Sequence, residues 1–251
     1  MEASGTIEKA VDVLFHLHGA AQPQGVTAIG RALGLPKSSA HRLLQSLGGR
    51  GLVEQDERGR YRPGVALVAL GLGVLEQEPI VAAARPILER EAEDLAETFF
   101  LVAPRSGQLV VLDKVEGTGF LRAAPRVGTV VPLHATAVGK LYLALDPAAV
   151  QPPPDFLSGY TPRTLTSSSA LDAAVREVRQ RGFASNRDEW IPGLSVLAAP
   201  VVAGGRMRGA LALAAASPRL EELGGETCAV RVIAAADRIA ARLSLTSRAT
   251  G

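Results

Sequence analysis

Residues 27–47, TAIGRALGLPKSSAHRLLQSL, decide the reading of this chain. Ile29, Leu33, Leu35, Leu43, Leu44 and Leu47 fall at the three-and-four spacing of packed helices. Gly34 stands where a first helix must stop, because glycine accepts the left-handed conformation of a C-terminal cap. Pro36 suits the entry to a second helix, where a missing N–H costs nothing. Ala28, Gly30 and Ala32 are small enough for the two helices to approach closely. The pattern leaves Lys37, Ser38, His41, Arg42 and Gln45 on the outer face of the second helix, within reach of phosphates and base edges. The unit reads as a helix-turn-helix that enters a DNA groove. An ordinary helical hairpin with a solvated charged face is the alternative on these residues alone.

The flanks favour the first reading. In residues 52–63, LVEQDERGRYRP, Leu52 and Val53 open a strand, residues 56–59 supply turn chemistry, and Arg60, Tyr61 and Arg62 return before Pro63. This short hairpin, a wing, carries Arg58, Arg60 and Arg62. Residues 26–62 hold seven cations and three carboxylates, a net +4 in a chain of net +2, so the remainder is −2. A positive region on a near-neutral protein is the footprint of phosphate contact, with affinity that falls steeply as salt rises. A helix over residues 6–18, with Ile7, Ala10, Val11, Leu14 and Leu17 on one face, completes a three-helix head.

The 251 residues allow a small head domain and a larger one with its own core. Hydrophobic content of 47% describes a globular chain, and the 4% of aromatics are too few for a mode based on stacking of single-stranded bases. The single cysteine, Cys228, forms no internal disulfide and sits among Ala229, Val230, Val232 and Ile233 as a small buried side chain. The first residues carry Glu2, Glu8 and Lys9 and no apolar signal core, and the longest apolar run, 65–75, is too short for a bilayer. The expectation is a soluble cytoplasmic protein. His16 and His18, two apart on a helix, face different ways and make no chelating pair. No metal and no cofactor is expected.

Beyond Pro63, residues 64–77 (GVALVALGLGVLEQ) lack charge until Glu76 and are apolar all round, which predicts a linker helix buried on several sides, against a partner chain or within the second domain. Further on, the pattern predicts helices from Pro86 to about residue 96, over 136–145, 169–181 and 226–243. The last of these places Ala229, Val230, Ile233, Ala236, Ala240 and Leu243 on one face. Strands are expected at 99–103, 109–115, 120–123, 196–202 and 209–215. Residues 187–189 read as a solvated loop with internal ion pairing. The fold class is α+β: an N-terminal winged helix-turn-helix domain (1–63), a linker and dimerisation helix (64–78), and an antiparallel-sheet domain (79–247) suited to enclosing a small molecule.

The stretches GLPKSSAHRLLQSL, GRYRPG, VGTVVPLHATAVGKLYLA, YTPRTLT, VRQRGFA and IPGLSVLAAPV, in this order, resemble the IclR family of bacterial transcriptional regulators over nearly the full chain. The resemblance implies a profilin- or GAF-like effector-binding domain, dimers or dimers of dimers, and control of catabolic genes by small organic molecules. It also implies recognition of an inverted repeat in double-stranded DNA. Ser38, Ser39, Arg42 and Gln45 would read bases, Lys37, Arg58 and Arg60 would touch phosphates, and His41 would do either.

Two departures from the family pattern stand out. Ala40 replaces a larger core residue in the second helix. In the effector domain the family's pocket aspartate falls on Asn186, its cysteine on Val196, its two strand serines on Ala212 and Ala214, and its small dipeptide on Ala137 and Val138. Losing two hydroxyls and a thiol removes donors that a buried carboxylate requires. The expected effector is therefore more apolar than glyoxylate or pyruvate, with Asn186 and Thr136 left to hydrogen-bond it. A pocket filled solid, with no ligand, is the alternative. Two other functions compete with the regulator: a catalytic C-terminal domain using His134, Asp188, Glu189 or Ser195, and a low-specificity DNA-binding structural protein. No catalytic residue is assigned, because none of these four sits in a nucleophile elbow or phosphate loop.

Overall fold

A computed structural model describes residues 5–119 and 125–249. The chain divides into two compact units, Met1–Gln77 and Glu78–Gly251.

The first unit is built from α1 (Thr6–Gly19), α2 (Val26–Ala32), α3 (Lys37–Gly48), β1 (Val53–Gln55), β2 (Tyr61–Pro63) and α4 (Val65–Glu76). Its core joins Val13 and Leu17 of α1 to Ile29, Leu43, Leu44 and Leu47 of the helix pair and to Val53 and Tyr61 of the wing. Gly34 adopts φ +65°, the left-handed conformation that ends α2. At Gly30 a side chain would meet the carbonyl oxygen of Leu35 at 2.9 Å, so only a hydrogen fits where the two helices pass. The wing closes on Asp56, whose carboxylate accepts from the backbone N–H groups of Arg58 and Arg60 and from Arg60 Nε at 2.9, 2.8 and 2.9 Å. Glu54 accepts from Val65 N at 3.0 Å and ties the wing to the start of α4.

The second unit contains α5 (Pro79–Leu95), β3 (Thr98–Arg105), β4 (Gln108–Val115), α6 (Ala137–Leu145), α7 (Ser168–Arg181), β5 (Ala184–Arg187), β6 (Leu194–Ala203), β7 (Arg206–Ala216), α8 (Ser217–Leu223) and α9 (Gly225–Ala249). Its strands form one antiparallel sheet in the order β4-β3-β7-β6-β5. Alternate residues serve opposite faces, as the two-residue period of a strand requires. Phe99, Leu101, Leu197, Ala199, Leu211 and Leu213 pack in one core with residues of α5 and α9. Phe100, Val102, Val196, Ala198, Ala210, Ala212 and Ala214 pack in another with α6 and α7. Burial on both faces explains why β3, β6 and β7 read as continuous apolar runs. This is the α+β arrangement expected from the sequence.

Several expectations are corrected. The helix placed at Pro86 starts at Pro79 and runs through Pro86. An internal proline is costly, but Ile80, Val81, Ala83 and Ala84 before it and Ile87, Leu88 and Ala92 after it all reach the core, and that burial holds one helix. On α1, Ile7 and Val11 are exposed and Val13 takes the buried position, with Leu17. Val230 of α9 is likewise exposed, while Val232 and Ala235 are buried. Within this chain α4 is not buried on several sides: Val65, Val68, Leu70, Leu72 and Val74 are each more than half exposed. Strand β5 and helix α8 went unpredicted, and the strand expected at 120–123 lies outside the described residues. No single described helix is long and apolar enough to cross a membrane.

The contact at Gly30 gives the first prediction. Gly30→Ala forces the α2–α3 turn apart and should cost about 1–3 kcal/mol of stability in the first unit, read as a lowered midpoint in thermal or urea denaturation followed by circular dichroism.

Candidate functional site

Helix α3 sorts its residues by contact. Ala40, Leu43, Leu44 and Leu47 are buried, Lys37, Ser38, His41, Arg42 and Gln45 are exposed, and Ser39 is half-buried. The buried set is apolar and the exposed set is polar or cationic, so packing alone aims this face outward. Ala40 is fully buried and faces Gly30, its Cβ standing 3.7 Å from where a Gly30 side chain would begin. The small residue at this position thus matches the close helix crossing.

The cations differ in how far they are free to act. Among the described residues, Lys37, Arg42 and Arg58 pair with no carboxylate, whereas Arg60 is bound to Asp56 at 2.8 Å and Arg62 to Glu54 at 3.1 Å. The same contacts hold both carboxyls below their ordinary range. For Glu54 the main cause is the backbone hydrogen bond from Val65, and for Asp56 that from Arg60. The wing's own turn chemistry therefore uses two of its three arginines, and Arg58 is the one left exposed and unpaired.

In the second unit a small cavity lies against the α6 side of the sheet. Among the described residues it is lined by Phe100, Pro125, Val131, Thr136, Ala137, Val138, Asn186, Trp190, Ile191, Leu194 and Val196, and its volume is about 20 Å³. Five of the residues expected to meet an effector thus come together: Thr136, Ala137, Val138, Asn186 and Val196. Ala212 and Ala214 belong to the same apolar core but are outside the cavity lining. Trp190 and Ile191 were missed. They follow the loop read as solvated, and only an unusual tryptophan, the chain's one, marked the segment.

That loop is corrected in part: Arg187 is exposed and pairs with Asp188 at 3.8 Å, as expected, but Glu189 is not solvated. Glu189 is buried, and Lys140 of α6 donates to both its carboxylate oxygens at 2.7 and 3.0 Å. Thr164 donates to the Glu189 carbonyl and Thr161 to that of Asp188 at 2.6 Å. Residues 186–191 are therefore clamped to α6 and to the 161–164 turn, and this clamp sets where Trp190 and Ile191 stand. Thr136 caps α6, accepting from Gly139 N at 3.0 Å while donating to the Pro132 carbonyl at 2.7 Å.

Of the groups considered for catalysis, Ser195 and Asp188 are linked through Ser217, and His134 stands apart from them. Ser195 donates to Ser217, and Ser217 donates to Asp188. His134 instead bonds the Ser158 carbonyl at 2.8 Å and stacks on Tyr160. Burial pushes the Cys228 thiol above its ordinary pKa, which makes it a poor nucleophile. Among the described residues no group of three or more His, Cys, Asp or Glu side chains has metal-binding geometry.

Comparison with known proteins accounts for both units. Residues 6–57 match the IclR helix-turn-helix domain and residues 72–241 match the bacterial transcriptional regulator IclR C-terminal domain. The chain belongs to the IclR family. Within it, the chain is 33% identical over 201 residues to the glycerol operon regulatory protein of Streptomyces griseus, covering 78% of each. It is 32% identical over 203 residues to the HTH-type transcriptional regulator XynR of Escherichia coli, covering 78% of this chain and 79% of XynR. The crystal structure of the Thermotoga maritima IclR shares the fold, with a TM-score of 0.79 at 24% identity over 95% of this chain and 98% of that one. IclR-family members are transcriptional regulators rather than enzymes, with a DNA-binding helix-turn-helix and a ligand-binding C-terminal domain.

The clamp on the cavity wall gives a second prediction. Lys140→Met leaves the Glu189 carboxylate buried without its partner and should cost about 3–5 kcal/mol. The double variant Lys140→Met, Glu189→Leu should recover most of that loss, as read in urea denaturation of the second unit's helical signal.

Proposed function

We propose that this chain is a cytoplasmic, effector-responsive regulator that binds an inverted-repeat operator as a dimer or dimer of dimers. In this reading residues 1–63 are the DNA-binding head, 64–78 the dimerising linker and 79–247 the effector domain. The observation that carries it is the outer face of α3, where packing leaves Lys37, Ser38, His41, Arg42 and Gln45 exposed, with no carboxylate paired to Lys37 or Arg42 among the described residues. Ser38, Ser39, Arg42 and Gln45 read base edges, Lys37 and Arg58 neutralise phosphates, and His41 serves either purpose. Arg60, held by Asp56, contributes less to phosphate binding than its charge implies.

The dimer rests on apolar surface that the single chain leaves bare. On α1, Ile7, Val11 and Phe15 form an exposed stripe four residues apart, with Phe15 71% exposed, and α4 adds Val65, Val68, Leu70, Leu72 and Val74. A helix without charge over most of its length needs an apolar partner, and a second copy of the same unit offers one by two-fold symmetry.

The effector reading rests on the cavity beside α6. Its described lining residues carry no charged side chain, which favours an apolar ligand over glyoxylate or pyruvate. A volume of about 20 Å³ holds one water, so an effector enters by displacing part of the wall. Ligand affinity then depends on an open state, and an operator that prefers one quaternary arrangement is linked to that opening.

Three measurements test these assignments. Arg42→Ala should cost about 1–3 kcal/mol of operator affinity and relax preference at one base pair, in competition binding against single-substituted operators. Arg58→Ala should weaken all sequences alike and lower the slope of log affinity against log salt by about 1, with a smaller change for Arg60→Ala. Phe15→Glu combined with Leu70→Glu should shift sedimentation velocity from dimer to monomer. A full-length protein that is monomeric and binds operator and random fragments equally would overturn the proposal.

A further inference from the structure

Asn186 carries an unmet hydrogen-bonding demand at the cavity wall. It is only 6% exposed, its Nδ2 donates to the Ala135 carbonyl at 3.3 Å, and its Oδ1 has no partner. The amide orientation follows from that bond, since the reverse assignment would set two acceptors against each other. Thr136, also in the lining, is committed in both directions, to Pro132 and from Gly139. Among the described side chains of the lining, the free acceptor is therefore Asn186 Oδ1, and the Trp190 indole N–H is the free donor. Ala137 and Val138, the first residues of α6, line the same space, and among the described residues their N–H groups have no partner.

An occupant must satisfy both ends. A carboxylate can accept from the start of α6, but it presents a second acceptor to Asn186 Oδ1 and finds no cationic side chain among the described lining residues to balance its charge. A hydrocarbon or an ether leaves Oδ1 buried and unpaired, in place of the water that the cavity has room for. A hydroxyl donates to Asn186 Oδ1 and accepts from the helix N–H groups. It is the smallest group that does both.

We propose that the effector is an uncharged hydroxyl compound, a phenol or a cyclic alcohol, whose O–H donates to Asn186 Oδ1 while its apolar body packs among Phe100, Val131, Val138, Trp190 and Val196. This rests on the reading of the cavity as the effector site and adds to it the polar group that the ligand must carry. Asn186 is then the specificity determinant. It rejects the methyl ether because the donor is gone, and the anion because the donor has become a charge.

The test uses calorimetric titration of the full-length protein with two matched sets: phenol, anisole and benzoate, and cyclohexanol, methoxycyclohexane and cyclohexanecarboxylate. In at least one set the hydroxyl compound should bind at least tenfold more tightly than both its methyl ether and its carboxylate. Asn186→Leu should bring the hydroxyl-to-ether ratio below threefold. The preference is measured first on the unaltered protein, so it stands even if that variant folds poorly. Ether and hydroxyl binding equally, or the carboxylate binding more tightly, overturns this inference and leaves the cavity as the effector site. Binding of none of the six at millimolar concentration overturns the cavity reading itself, and this inference with it.

Discussion

Burial of the five-stranded sheet on both faces is the constraint from which the second unit follows. Strand β7 alternates leucine and alanine, with Leu211 and Leu213 turned into the core shared with α5 and α9, and Ala210, Ala212 and Ala214 into the core shared with α6. The large side chains fill the space under two long helices. The small ones let α6 come close, and its first turn then brings Thr136, Ala137 and Val138 to the cavity beside Asn186 and Val196 of neighbouring strands. Exchanging the leucine and alanine faces would move α6 outward and remove the cavity wall. The cavity is thus a by-product of how one strand divides its volume between two layers.

A similar division organises the first unit. Helix α3 is held by Leu43, Leu44 and Leu47 on one side and by the crossing of Gly30 and Ala40 on another, and what remains outside is cationic and polar. The wing complements it through a turn in which Asp56 takes up backbone N–H groups and the guanidinium of Arg60. That turn sacrifices one positive charge to hold the hairpin's shape and leaves Arg58 to act outward. DNA-facing charge is therefore set less by the number of arginines than by which of them the local fold has already engaged.

Much of this was legible in the residues. The glycine and proline at 34 and 36, the leucine spacing through 47 and the turn at 56–59 mark the head, because each reports a local backbone requirement that no distant contact can alter. The alternation in 209–215 marks a strand for the same reason. Pro86 misled because a local preference there is overridden by burial on both sides of it along α5. Ile7 and Val11 misled because an apolar stripe on a helix does not say whether its partner lies within the same chain. Arg187, Asp188 and Glu189 resembled an exposed charged loop, yet Glu189 is buried against Lys140, a partner 49 positions away with no sequence signal linking the two.

The sequence by itself determined the α+β class and the helix-turn-helix and wing, since these depend on residue type and short-range spacing. Only the tertiary structure decided that Asn186 keeps an unpaired acceptor beside the start of α6, that Trp190 and Ile191 complete the wall, and that Arg60 is spent on the wing. Each of these depends on what stands opposite a side chain across the fold, and hydrogen-bond satisfaction and burial are properties of that opposing surface rather than of the residue alone.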